Sequence, residues 1–236
     1  MQRSDKLDAL AVLLRPNEPV EARVFDYWPS NDINLKHRFA DVARDCTFSG
    51  DTPVLVGEAH GIHAKDKPIY RDRLMVTDSD LAAVDAPVWM LAGIDQGVQT
   101  RALALDLDEQ GRYHLAGYSC FDTCEPIGEV WTYVPGGKLI DHASLGPLDS
   151  PWFGPHDIAW SPAGYAVVAL GELQGQTFVF KVQAFAPGVP VPVWTYLPND
   201  KQGLQLALAV AVGPYGEVYA GGIGAADHPA FARIGG

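Results

Sequence analysis

Cysteine is nearly absent: Cys46, Cys120 and Cys124 are the only three in 236 residues. That is too few for a disulfide-framed scaffold, and an odd number leaves at least one thiol unpaired within the chain. No apolar run approaches the ~18 residues of a membrane-spanning helix. The best stretch is Leu10–Leu14, so no membrane insertion is expected. The opening residues, Met1–Lys6, lack the apolar stretch and small-residue cleavage site of a signal peptide. A cytoplasmic protein is expected if the sequence is full length, and an exported or cell-surface one if it is part of a longer chain. Basic residues are scarce, 17 against 29 acidic ones, for a net charge of −12. A surface of that sign repels phosphate backbones and anionic bilayers, which argues against a nucleic-acid partner. Sustained helical periodicity is missing, with Ser79–Ala86 offering room for one turn. A G-x-S-x-G nucleophile motif and a glycine-rich phosphate loop are missing as well.

What the chain does have is repetition. Val24-Phe25-Asp26-Tyr27-Trp28-Pro29, Val88-Trp89-Met90-Leu91, Val130-Trp131-Thr132-Tyr133-Val134-Pro135 and Val193-Trp194-Thr195-Tyr196-Leu197-Pro198 read alike. Each is followed by a second element: Ala40-Asp41-Val42-Ala43, Leu103-Ala104-Leu105-Asp106, His156-Asp157-Ile158-Ala159 and Leu208-Ala209-Val210-Ala211. A third element then ends in glycine at Gly57, Gly117, Gly171 and Gly222. The aromatic anchors Phe25, Trp89, Trp131 and Trp194 are separated by 64, 42 and 63 residues, so the length differences fall in connections.

The elements read as strands. From Leu204 to Val212 large residues alternate with alanines, a period of two with both faces apolar. That suits a strand sandwiched between neighbouring sheets. Gly111, Gly164 and Gly216 sit where short turns need a positive φ. Thr177–Val182 reads as a fourth strand, with Arg73–Val76 its counterpart, whereas Tyr118–Glu129 in the second repeat has hardly room for one. The pattern predicts an all-β protein: a β-propeller of four-stranded antiparallel blades, four-bladed or a segment of a larger propeller. It is read as a single domain over 1–236, with repeat units near 20–86, 87–128, 129–190 and 191–236. A β-sandwich accounts for strands and turns but not for the ordered fourfold repeat. The sequence ends on a third-strand pattern, Pro229–Ile234, and the N-terminal Val20–Trp28 is the element that would complete it; pairing of Val20–Trp28 with the strand around Phe231 is expected.

Leu208-Ala-Val-Ala-Val-Gly-Pro-Tyr-Gly-Glu-Val-Tyr-Ala-Gly221 and Phe178-Val179-Phe180-Lys181 resemble tandem bacterial β-propeller repeats, the SBBP-like and WD-repeat-like blades. The resemblance covers most of residues 20–234. It implies blades, an exported or surface-associated setting, and in many relatives no known activity. The short second repeat and its Cys-x₃-Cys depart from the pattern.

Several groups invite chemistry. His60, His63 and Asp66 have the look of a metal-ligand set, but a solvated loop is the preferred reading, since zinc sites need three or four positioned ligands. Cys120 and Cys124 bracket a short loop and form either a local disulfide or two inert thiols. Asp106, Asp108 and Glu109 before Gly111 suggest a calcium loop only faintly, and a strand-joining turn capped by aspartate is preferred. Asp41 and Asp157 are aligned to one register of the inner strand, with His156 adjacent at the channel mouth. Across a four-bladed channel the two carboxylates would share a divalent cation or a polar ligand; hydrogen bonding to nearby backbone is the preferred alternative. No other cofactor is expected.

The function expected is a non-catalytic binding or scaffold module that presents loops to a protein or a small polar ligand, as a monomer or as part of a longer chain. The alternatives are a hydrolase or lyase with a His/Asp site at the channel, and a structural segment of a larger surface protein.

Overall fold

The computed structural model describes residues 9–13, 21–25, 35–50, 52–63, 68–76, 88–89, 99–120, 125–135, 138–148, 154–174, 177–198, 204–224 and 228–235. These residues form seventeen strands, β1 to β17, all in antiparallel ladders, with no helix among them. The protein is all-β, and no described helix is long and apolar enough to cross a membrane. Two compact units divide the chain, residues 1–102 and 103–236.

In the first unit β1 (Ala9–Leu13) pairs with β2 (Glu21–Phe25) as a separate two-stranded sheet. Of the Val20–Trp28 stretch, Glu21–Phe25 is described, and it pairs within this hairpin. A four-stranded meander follows: β3 (Leu35–Ser49), β4 (Thr52–His63), β5 (Pro68–Val76) and β6 (Val88–Trp89). Ser79–Ala86 lies outside the described residues.

The second unit contains three meanders. The first is β7 (Gln99–Leu107), β8 (Tyr113–Cys120), β9 (Pro126–Tyr133) and β10 (Leu139–Pro147). The second is β11 (Pro155–Ser161), β12 (Tyr165–Gln174), β13 (Thr177–Phe185) and β14 (Trp194–Tyr196). The third has three strands, β15 (Leu204–Val212), β16 (Val218–Gly224) and β17 (Pro229–Ile234).

The same turn opens each of these three sheets. Gly111, Gly164 and Gly216 have φ of 71°, 87° and 88°. Each donates its N–H to the carbonyl three residues earlier, on Asp108, Ser161 and Gly213. A side chain at that φ is disfavoured by contact with the neighbouring carbonyl, which explains why glycine recurs there.

The sheets stack face to face, and the β11–β14 sheet is covered on both sides. Ala166, Val168 and Leu170 of β12 pack with Ala104, Ala116, Val130 and Ala143 of the preceding sheet. Val167 and Ala169, on the opposite face, pack with Phe180 and Val182 of β13 and with Ala207, Val210, Val218 and Ala220 of the following sheet. Strand side chains alternate between faces, so a strand buried on both reads as an unbroken apolar run, here Ala166–Leu170. Each fully buried Val, Leu or Phe contributes roughly 1.5–3 kcal/mol.

Two sequence expectations are revised by these ladders. Trp89 and Trp194 lie on fourth strands, β6 and β14, but Trp131 lies on β9, the third strand of its sheet. The short 118–129 interval leaves no room for another strand, so the tryptophan strand moves one place inward. Leu139–Pro147, which had no strand signature, then fills the outer place. Second, the alternation in Leu204–Val212 is broken by a bulge between Ala207 and Ala209. The bulge takes up one residue, so Ala207 and Val210 face the core while Leu208 and Ala209 are exposed. A bulge falls at the same place in β11, between Pro155 and Asp157. His156 and Leu208 are therefore equivalent, each eight residues before its turn glycine.

Candidate functional site

The inner strands of the second unit carry a recurring acid. Asp106, on β7, accepts the N–H of Leu107 through Oδ1 at 2.8 Å and the N–H of Trp160, on the next sheet, through Oδ2 at 2.7 Å. Asp157, on β11, accepts the N–H of Ile158 through Oδ1 at 2.9 Å and the N–H of Val210, again on the next sheet, through Oδ2 at 2.8 Å. Each carboxylate thus holds its own strand with one oxygen and the following sheet with the other. The spacing repeats as well. Asp106 stands five residues before Gly111, and its donor Trp160 stands four before Gly164. Asp157 stands seven before Gly164, and Val210 stands six before Gly216. Both locks join positions offset by one residue, although Asp106 stands two residues nearer its turn glycine than Asp157 does.

Asp157 therefore performs the backbone-bonding role expected of an inner-strand acid. Asp41 is on β3 opposite Ala59, and its side chain lies outside the described residues. The two are not in one register: Asp41 is nine residues before Gly50, Asp157 seven before Gly164, and β3 carries three bulges where β11 carries one. Among the described residues no group of three or more His, Cys, Asp or Glu converges as metal ligands would. His60 and His63 belong to β4 and not to a loop. The side chains of both lie outside the described residues. Asp66 lies outside the described residues.

A second cluster was legible in the sequence only as a strand-joining turn capped by aspartate before Gly111, without its His114, Thr132 and Trp160 partners. Asp108, just before the turn glycine, caps the turn: its Oδ1 accepts the N–H groups of Gln110 and Arg112, each at 2.9 Å. Its Oδ2 takes the Arg112 Nε–H at 2.5 Å and lies 3.1 Å from His114 Nε2. His114 Nδ1 is 3.1 Å from Thr132 Oγ1 on β9. A carboxylate at Nε2 calls for the proton on that nitrogen, leaving Nδ1 to accept from the threonine hydroxyl. Trp160 covers the imidazole, its ring centroid 4.2 Å away and 12° from parallel, and its indole N–H reaches Glu109 at 3.0 Å.

Burial works to raise the Asp108 pKa, but the hydrogen bonds from Arg112, His114 and Gln110 outweigh it and hold the carboxyl below its ordinary value. Burial holds His114 below the usual imidazole value, although the Asp108 hydrogen bond and charge act the other way. The pair at neutral pH is a carboxylate and a neutral imidazole. The order acid–imidazole–hydroxyl is that of a hydroxyl-activating relay. Here, however, Asp108, His114 and Thr132 are 6%, 1% and 4% exposed, so no substrate can reach the hydroxyl. The cluster ties turn, β8 and β9 together and seats the next sheet's tryptophan. Its one sequence signal was the Asp-x₅-His spacing around Gly111, which the other turns lack, having Ser161 and Val167 or Gly213 and Tyr219 instead.

His156, at the bulge of β11, differs from both. Its Nε2 is buried and has no hydrogen-bond partner, and burial lowers its pKa. On β10, the outer strand of the first of these sheets, the half-exposed His142 Nε2 lies 3.0 Å from Glu129 Oε1, within hydrogen-bond distance. Cys120 is disulfide-bonded and buried, while Cys46 is a free, surface thiol. Cys124, the partner expected for Cys120, lies outside the described residues.

The site and its scaffold thus define, in the second unit of this all-β protein, three stacked meander sheets joined by inner-strand aspartates. No family model and no curated protein matches the sequence. Among solved structures the chain is similar to a xylan beta-1,4-xylosidase from Bacillus halodurans C-125, with a TM-score of 0.47 and 13% identity. The match covers 87% of this chain and 42% of that one.

Proposed function

We propose that the chain is a β-propeller module, four-bladed or a segment of a larger propeller, that works by binding and not by catalysis. The observation that carries the reading is the pair of Asp-to-amide locks. Applying one sheet-to-sheet relation repeatedly, with sheets stacked on their faces, is how blades are set around an axis. The bulge shared by His156 and Leu208 follows the same repeat.

The binding role rests on what the inner-strand acids are engaged in. Asp106 and Asp157 hold backbone amides, and Asp108 and His114 are sealed beneath Trp160, so the polar groups best placed for chemistry serve the architecture. The loops between strands are left to present a surface for a protein or a small polar ligand. A hydrolase or lyase is the second reading, and His156 favours it: a buried imidazole nitrogen without a partner, at a bulge beside an acid, is a feature that active sites share.

One experiment separates the readings. The protein is screened by thermal shift against peptides and xylo-oligosaccharides, and in parallel for turnover of chromogenic glycosides and esters. A binding module gives a saturable rise in melting temperature and no turnover. Turnover that disappears in His156→Gln would replace the binding reading with the enzymatic one.

A further inference from the structure

Cys120 ends β8, is 2% exposed and is disulfide-bonded. The chain has three cysteines, and Cys46 is a free thiol. By elimination the bond goes to Cys124, four positions further on. The ring it closes holds five residues and belongs to the connection between β8 and β9. The β8–β9 ladder runs from Tyr113 opposite Tyr133 to Cys120 opposite Pro126. The hairpin is therefore paired right up to the crosslinked residue.

A crosslink stabilises a fold chiefly by removing freedom from the unfolded chain, and the gain grows with the length of loop closed. A ring of five residues, in a hairpin that eight ladder pairs already hold, sits at the low end of that gain. Linkage makes the relation mutual: the fold favours the bond over two thiols by the factor by which the bond favours the fold. Folding thus does little to protect this bond from a reducing thiol pool, and the surroundings decide whether it is kept. The bond is not built as an active redox couple either. Such couples carry an accessible, acidic thiol, whereas Cys120 is sealed, with Ser119 at 4% exposure and the opposite Pro126 buried. Cys46 is poorly suited to reshuffle the bond. Partial burial, then the charge of Asp45, raises its pKa, so little thiolate forms at neutral pH.

We propose that the chain matures and works in an oxidising compartment, outside the reducing cytosol, as the substrate of a disulfide-donating exchange partner. One of the two thiolates attacks a sulfur of the donor's disulfide, forming a mixed disulfide and releasing one donor thiolate. The other thiolate then attacks the chain's own sulfur in that mixed disulfide, closing the Cys120–Cys124 bond and releasing the second donor thiolate. Two electrons and the two thiol protons pass to the donor, which leaves as a dithiol. The inference rests on the crosslink and not on where the sequence begins, and it holds whether the protein binds or catalyses.

The test reads the thiols where the protein lives. Cells that make it are quenched in acid, alkylated with a light reagent, reduced, and alkylated with a heavy one before peptide mass spectrometry. Heavy label is expected on Cys120 and Cys124, and light label on Cys46. In parallel the chain is produced in a reducing bacterial cytosol and, behind an export signal, in the oxidising periplasm of the same host. Cys120 and Cys124 then carry light label from the cytosol and heavy label from the periplasm. Light label on Cys120 of the native protein overturns the proposal, because the bond is then absent where the protein works. Equal heavy labelling from both compartments of the host also overturns it, since the bond then forms without oxidising surroundings. So does heavy label on Cys46 with light label on Cys124, because the ring that closes is then a long one that the fold itself protects.

Discussion

Removing the Asp157 carboxylate tests the lock between sheets directly. In Asp157→Ala the amides of Ile158 and Val210 lose their acceptor, and Val210 is a buried residue. A hydrogen bond to a charged group contributes about 1.5–3 kcal/mol, and an orphaned buried donor costs a similar amount. The Ile158 bond is local and partly open, so the Val210 bond dominates, for a net loss of about 2–3 kcal/mol. Asp157→Asn is no rescue, because its amide keeps one acceptor oxygen and turns an NH₂ donor toward the other N–H. Hydrogen exchange reads the effect at its source: a loss of 2 kcal/mol speeds exchange of the Val210 amide by about 30-fold where opening is local. In denaturant melts Asp106→Ala, which opens the preceding interface, adds to Asp157→Ala within about 0.5 kcal/mol, because the two share no partner. If Asp157→Ala changes stability by less than about 0.5 kcal/mol and leaves Val210 exchange unaltered, the lock is not what joins these sheets, and the repeat geometry built on it loses its energetic basis.

Two further outcomes follow from the buried groups. Because the folded His114 pKa lies below the unfolded one, the unfolded chain takes up a proton first as pH falls below about 6.5; melting temperature should decline from pH 7 toward pH 5, less steeply in His114→Gln, and parallel curves for the two proteins would refute the assignment of that decline to His114. Under non-reducing, denaturing conditions a thiol titration should count one free cysteine, Cys46, and three after reduction; three without reductant would contradict a disulfide at Cys120. In the folded protein Cys46 should react slowly at neutral pH, since burial, then the charge of Asp45, raises its pKa.

The strands and their order were legible because apolar periodicity and turn glycines are local signals. Gly111, Gly164 and Gly216 placed three hairpins at once, and the alignment of His156 with Leu208 survived into a shared bulge. What failed depended on neighbours. Trp131 has the same local sequence as Trp194 but occupies a third strand, because the shortened loop before it and the unmarked Leu139–Pro147 strand after it changed its place. Asp41 and Asp157 looked equivalent in a linear alignment, yet register in a sheet is counted through bulges, which leave no mark in composition. Backbone bonding by Asp157 was expected, but which amide each lock grips on the next sheet was not legible for a related reason: the acceptors are side chains that sequence can show, while the donors are backbone amides, which look the same at every position. The Asp108–His114–Thr132 cluster spans three elements, and only one of its spacings is short enough to notice.

That asymmetry has a bearing on how such a chain can grow. In each lock the acid belongs to the earlier sheet, and the later sheet offers only a peptide N–H, which every residue but proline possesses. A newly duplicated sheet appended downstream therefore needs no special residue in order to be gripped; the demand falls on a single aspartate in the sheet already present. The β15–β17 sheet has Ala209 and Ala211 where its predecessors have Asp157 and Asp106. An Ala209→Asp or Ala211→Asp change would give that sheet the same side-chain acceptor.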